Sequence, residues 1–422
     1  MQCNASLAVH GVDGILADTY SYVCKNSFTL PDFFSNRFRD EKKILMAVSS
    51  ILMVVFFTVY TASGFSACGK LFNSLFGYDY MTAMIICSVV IILYTSIGGF
   101  LAASTTDFIQ GVLMSVSIIV VLVVGVMEAG GVEAILENGK NLAGYFSLTD
   151  VHDAETGKAV SYGLITVVSG LAWGLGYFGM PHILVRFMAI KSAKEIKKSR
   201  LIAMIWVVIS LAIAVCIGFA GATLYPGELK GAASETIFIV IAKDLLPVVF
   251  VGLIISGILA ATMSTADSQM LLVSSSIAQN LYKGIFKKDA SEKQVLWISR
   301  ITTIIVAIIG MVIASDQKSK IFKLVSYAWS GFGAAFGPLI LFALFWKRTT
   351  LAGALSGMLT GGIVSMAWSV CSNEIGGIFK VYSLLPAFAL SCIVIVVVSL
   401  LTKKPSDEII AEFESVKNFE EN

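Results

Sequence analysis

Ten stretches of this chain are apolar over enough residues to cross a lipid bilayer, and nothing else in it limits the fold so much. They lie near residues 44–68, 81–101, 106–128, 161–188, 201–224, 247–280, 296–314, 323–346, 351–371 and 380–401. At bilayer depth no water satisfies the backbone, so each stretch must bond its own N–H and C=O groups as a helix. The expected class is an all-α integral membrane protein with about ten spanning helices. Hydrophobic residues make up 57% of the 422 and charged ones only 14%, which excludes an ordinary soluble domain. The net charge of +2 includes no basic run interleaved with aromatics, so no nucleic-acid partner is expected.

Lys and Arg concentrate on alternate loops. One set holds Arg37, Arg39, Lys42 and Lys43, then Arg186 and the cations from Lys191 to Arg200, then Lys283, Lys287, Lys288 and Lys293. Lys347, Arg348, Lys403 and Lys404 fall on the same side. The long opposite loop carries Glu128, Glu133, Glu137, Asp150, Asp153 and Glu155, and Lys318 and Lys320 break the pattern. An even number of crossings with the basic loops inside puts both termini in the cytoplasm of a multi-pass cell-membrane protein. The chain divides into a cytoplasmic N-terminal segment, residues 1–43, a transmembrane domain, 44–402, and a cytoplasmic tail, 403–422. Residues 1–43 lack the apolar run of a signal peptide. In the tail, Ile409, Ile410, Phe413 and Val416 are spaced as one face of a short solvated helix. The scattered cysteines form no CxxC pair, the histidines show no metal-ligand spacing, and there is no Walker loop. What remains is a secondary transporter, a channel, or a membrane-embedded enzyme or sensor.

Two stretches choose among these. The run Gly257–Leu272, GILAATMSTADSQMLL, brings hydroxyls, an amide and a carboxylate into an apolar segment. Helical spacing puts Ala261, Ser264, Thr265 and Ser268 on one face. Such a face offers neutral oxygens, which suit a hard monovalent cation better than a transition metal. The other reading is packing, with hydroxyls bonded back to their own helix or to a neighbour. The second stretch, SGLAWGLGYFGMPH, places Gly170, Gly174, Gly176, Gly179 and Pro181 inside one crossing. Irregular backbone at that depth survives only where it lines a cavity or is buried in protein. Trp173 and Tyr177, four residues apart, read as a wall for a small amphipathic solute, against the alternative of interfacial anchoring. Tyr60 to Gly64 form a further polar, glycine-bearing interruption in the first crossing.

FTLPDFFSNRF, FFTVYTASG, IGGFLAASTTDFIQG, GLAWGLGYFGMPHILVRFMA, ILAATMSTADSQMLLVSSS and LVSYAWSGFGAAFGP, in this order, resemble the sodium/solute symporter family. The likeness is strongest to the branch that couples sodium to proline. It runs from about Leu30 to the tail and implies an inverted-repeat (five-plus-five) symporter fold whose broken helices meet at the bilayer midplane. It also implies uptake of L-proline with Na+ as coupling ion. By the same resemblance, the alanine carbonyl and adjacent hydroxyls of the family's sodium site match Ala261, Ser264 and Thr265. The solute pocket matches Tyr60, Trp173, Tyr177 and Pro181. An aspartate that matters in the family matches Asp107, which also reads as a cap for the helix starting there. Asp107 with Ser268 is a candidate second ion or gating site. Met180 stands where better-known members carry Gln.

In the family, further helices precede the stretch matching FTLPDFF, and one of them completes the sodium site. The corresponding 29 residues here contain no crossing. The expectation is an N-terminally truncated symporter that inserts but does not transport as written. Rival expectations are a symporter of another small solute and a non-transporting membrane sensor or subunit. A membrane enzyme has the least support, since no nucleophile–base pair is visible.

Overall fold

The structure is a computed structural model that describes residues 27, 29–153, 156–188, 193–229 and 231–420. Most of the expected N-terminal segment, with Cys3, His10 and Cys24, and also Glu155 and Lys191, lies outside the described residues.

The first helix, α1 (Leu30–Arg37), starts where the Asp32 N–H donates to the Thr29 hydroxyl at 3.2 Å, with Pro31 in its first turn. It tucks Leu30, Phe33 and Phe34 into the core. α2 (Ile44–Phe76) is capped from outside its own first turn. The buried Asp40 carboxylate accepts the N–H groups of Ile44, Leu45 and Met46 at 3.2, 2.7 and 3.2 Å. A negative charge there answers both the orphan donors and the helix dipole.

Helical backbone then runs without interruption through α3 (Tyr80–Glu128). A turn was expected between crossings at 81–101 and 106–128, but the described backbone keeps its helical hydrogen bonds through that region. Its apolar lengths are Tyr80–Ser96 and Ser104–Glu128. The segment after α3 holds α4 (Val132–Asn141) and an antiparallel pair, β1 (Asp150–His152) with β2 (Ala159–Ser161).

Next come α5 (Leu164–Ala172), a 3₁₀ turn over Trp173–Gly179, and α6 (Pro181–Met188), bent by 41° at the break. α7 (Ala193–Leu224) and the short α8 (Ile237–Leu245) lead to α9 (Val248–Ser275), which loosens into a π-helix over Ser276–Phe286. α10 (Glu292–Ala314) begins in a reciprocal Ser291–Gln294 capping box. α11 (Ile321–Phe345), α12 (Leu351–Glu374), α13 (Leu384–Leu401) and the tail helix α14 (Asp407–Glu420) complete the chain.

Among the described residues, eight helices are long and apolar enough to span a bilayer, and the bent α5–α6 pair makes a ninth. With the shorter Tyr80–Ser96 stretch, all ten expected crossings have a counterpart. Burial sorts them: 83% of the apolar window of α11 is buried inside the protein, against 6% for α7. Ile202, Ile205 and Ile209 of α7 each expose half their surface or more, which in water would be a large apolar patch. In lipid it is an ordinary outer face. α11 is the axis of the core, and its glycines let neighbours approach: Gly331 lies under the Phe56 ring, and Gly333 abuts the backbone of Gly176.

Candidate solute and ion sites

The break in α5–α6 follows from its residues. Gly176 and Gly179 press against Trp329 and the Phe332 carbonyl of α11, where no Cβ fits. Pro181, which has no N–H to lose, begins α6. Because the segment between is 3₁₀, Trp173 and Tyr177 do not share an α-helical face. They meet instead on Trp329. Trp173 stacks on it with ring centroids 5.4 Å apart, and Tyr177 meets it edge-on at 4.8 Å. The Trp329 indole N–H donates to the Trp173 carbonyl at 3.0 Å. Phe322 and Tyr382 stack on Trp173 at 5.3 and 5.5 Å. Tyr60 comes in from α2, edge-on to His182 at 6.2 Å, and Pro181 is buried at the bend. Tyr60, Trp173, Tyr177 and Pro181 thus all lie around one break. Sequence reasoning missed Trp329 and Tyr382. The signal for Trp329 was the run AWSGFGAAFG, as glycine-rich as the broken segment itself.

On α9 the two hydroxyls converge. Ser264 Oγ and Thr265 Oγ1 donate to the same Ala261 carbonyl, at 3.2 and 3.1 Å. This is the packing arrangement, and it still leaves each hydroxyl lone pairs that a cation could use, since its proton is on the carbonyl. Neutral oxygens so grouped fit sodium chemically. The next residues are tied to neighbouring helices. Asp267 is fully buried and accepts from the Tyr94 hydroxyl at 2.9 Å and the Ser268 N–H at 2.6 Å. Gln269 accepts from Thr61 of α2 at 3.1 Å.

Asp107 does not cap a helix; it lies well inside α3. Its carboxylate accepts from Arg186, in the last turn of α6, at 2.6 Å, and the same guanidinium donates to Ser268 Oγ at 3.1 Å. The sequence suggested a second ion between Asp107 and Ser268, but in this conformation a protein cation holds that place. Arg186 was read only as a loop charge. The pocket beside it, lined also by Ser104, His182 and Leu272, has room of about 20 Å³, enough for about one water.

A helical membrane protein with one glycine-broken span, a ring-walled bend and an oxygen-bearing helix beside it is built as a secondary transporter. The chain belongs to the Sodium:solute symporter family, whose pattern matches residues 1–361. It is a transporter and not an enzyme. The high-affinity proline transporter PutP of Bacillus subtilis (strain 168) is 42% identical over 94% of this chain and 81% of its own length. Sodium/proline symporters of Haemophilus influenzae (strain ATCC 51907) and Staphylococcus aureus are each 41% identical over 94% of this chain, covering 79% and 78% of those proteins. A solved Na+-coupled sialic acid symporter, in a substrate-bound outward-open state, superposes with a TM-score of 0.72. That alignment covers 96% of this chain and 86% of the other, at 18% identity. The fold is the inverted-repeat symporter fold with broken helices.

Proposed function

We propose that this protein couples sodium influx to the uptake of L-proline across the cell membrane, with both termini in the cytoplasm. One observation carries the coupling. Tyr60 and Thr61 are neighbours on α2; the first reaches the solute wall at His182, and the second bonds Gln269 on the ion-bearing helix. Ordering α9 around a cation therefore orders the wall that meets the solute. Sodium binds at Ala261, Ser264 and Thr265, and the proline ring packs among Tyr60, Trp173, Tyr177 and Pro181. By linkage, proline raises sodium affinity by the same factor that sodium raises proline affinity. At about −100 mV one inward sodium charge is worth roughly 2.3 kcal/mol, about a fiftyfold accumulation. Asp107 and Ser268, bridged by Arg186, close the end of the site nearer the basic loops. The similarity to proline carriers supports the choice of solute.

The test is labelled-proline uptake in cells without other proline carriers, with the gene expressed from its native locus. Replacing sodium by choline should abolish uptake. Sodium-independent uptake would sink the ion assignment, and sodium-driven uptake of another solute but not of proline would sink the solute.

A further inference from the structure

α3 holds α9 at two levels. At the first, Gly257 abuts Ser117 of α3, where no Cβ fits. At the second, the Tyr94 hydroxyl of α3 reaches two acceptors on α9, the Met263 carbonyl at 3.1 Å and the Asp267 carboxylate at 2.9 Å. Met263 and Asp267 stand four positions apart, so one phenol spans a single helical turn. That turn encloses Ser264 and Thr265, whose hydroxyls both bond the Ala261 carbonyl.

Asp267 is fully buried, and its other oxygen takes the Ser268 N–H at 2.6 Å. The Ser268 hydroxyl in turn accepts from Arg186 at 3.1 Å. A carboxyl group at this depth is costly. Packing α9 on α3 does not call for it, since apolar partners of the same shape serve packing nearly as well. What the bonds add is direction. Rotating α9 about its axis would break both contacts to Tyr94, so the phenol fixes where the neighbouring oxygens point. A cation site needs its oxygens held by contacts of this kind behind them.

We propose that Tyr94 is a positioning residue for sodium: through Met263 and Asp267 it straps the turn that presents the Ala261, Ser264 and Thr265 oxygens, and so sets the affinity for the ion. This rests on the sodium reading above.

The test is saturable binding of radioactive sodium by the purified protein. Y94F and D267A should each raise the sodium Kd by about tenfold or more, as losing a contact that orients a metal ligand usually does. Y94F/D267A should lose no more than the worse single variant, because both cut one strap. D267N should stay within about twofold of the parent protein, since asparagine can rebuild the strap. Its oxygen takes the Ser268 N–H, and its amide donates to the Tyr94 oxygen, whose proton then goes to Met263. Proline binding at saturating sodium should change little in any of these variants. General loosening of the fold would give neither that split nor the asparagine rescue. With S264A weakening sodium as the sodium reading requires, three results would each overturn the strap: an unshifted sodium Kd in Y94F, additive losses in the double variant, or D267N as weak as D267A. No saturable binding, or binding that S264A leaves unchanged, refutes the sodium reading and the strap with it.

Discussion

At the end of the broken span that carries Arg186, α3, α6 and α9 are joined by an ion pair and its hydrogen bond; at the other end, the 3₁₀ break, α11 and the segment before α13 are joined by stacked rings. Asp107 of α3, Arg186 of α6 and Ser268 of α9 meet within hydrogen-bond distance and leave room for about 20 Å³. Phe322, Trp173, Trp329 and Tyr382 meet through ring faces and adjoin a cavity of about 360 Å³. The two closures open by different physics. A charge pair is directional, and separating it strands a carboxylate that is only 11% exposed. Stacked rings lose contact gradually as they slide, and the hydroxyls around them find water. In this conformation the ring end is the accessible one.

The sharpest way to break the ring end is W173A. It deletes the ring on which Phe322, Trp329 and Tyr382 all stack. A fully buried Trp→Ala change costs about 3–5 kcal/mol, and the half-buried Trp173 should cost less. Apparent proline affinity is expected to fall by about a hundredfold, or roughly 2.7 kcal/mol. W173F should recover most of it. Uptake kinetics at saturating sodium measure this, and equal loss in both variants would mean the ring does not act by stacking.

Breaking the charge end should do less, because Arg186 is 48% exposed and water screens part of the loss. R186Q should lower the uptake rate by about tenfold, in line with roughly 1.4 kcal/mol for a partly buried pair. D107N/R186Q should regain part of it, since neither charge is then stranded. A double-mutant cycle measures the coupling. Additive losses would show that the ion pair is not a unit.

The difference between the two ends also marks how far the sequence was legible. Apolar length predicted the crossings, because membrane insertion depends on local composition. The glycines and Pro181 predicted the broken helix, because their backbone effects are equally local. Spacing put Ser264 and Thr265 beside Ala261 for the same reason. Arg186 could not be assigned to Asp107, since the pair is 79 positions apart and a basic residue near a helix end is normally a topology signal. Trp329 and Tyr382 were hidden alike: their partner Trp173 is brought to them by tertiary packing alone. The cap expected of Asp107 failed because α3 continues through the point where a new helix was expected to begin.

The hydroxyl-bearing face of α9, proposed above to hold sodium, tests whether the two ends are coupled through α9. S264A or T265A removes one proposed cation oxygen and leaves the Ala261 carbonyl with a single hydroxyl donor. The sodium concentration for half-maximal uptake should rise by about tenfold, roughly 1.4 kcal/mol, with little change in proline affinity at saturating sodium. Unchanged sodium dependence in both variants would reject the assignment.

The smallest effect is expected where charge pairs lie at the surface. The tail helix α14 was expected to be solvated, yet it docks on two basic loops. Glu412 and Glu414 meet Arg39 and Lys347 at 2.9 and 2.8 Å, and Phe413 lies 5.3 Å from the Arg37 guanidinium. Burial lowers Arg37 to about 10, which still leaves it cationic at neutral pH. It holds α1 to α11 through a 3.0 Å bond to the Ala343 carbonyl. The two carboxylate pairs are about half exposed on each side, where such contacts are worth about 0–1 kcal/mol and are screened within about 10 Å at 0.1 M salt. E412Q/E414Q should therefore change uptake by less than about twofold, and the change should shrink as salt rises. F413A should matter more, because it uncovers a buried guanidinium. Protease sensitivity of the tail together with uptake separates the two. A tenfold loss in E412Q/E414Q would make the tail a third closure, and charge rather than burial would then decide what holds this molecule shut.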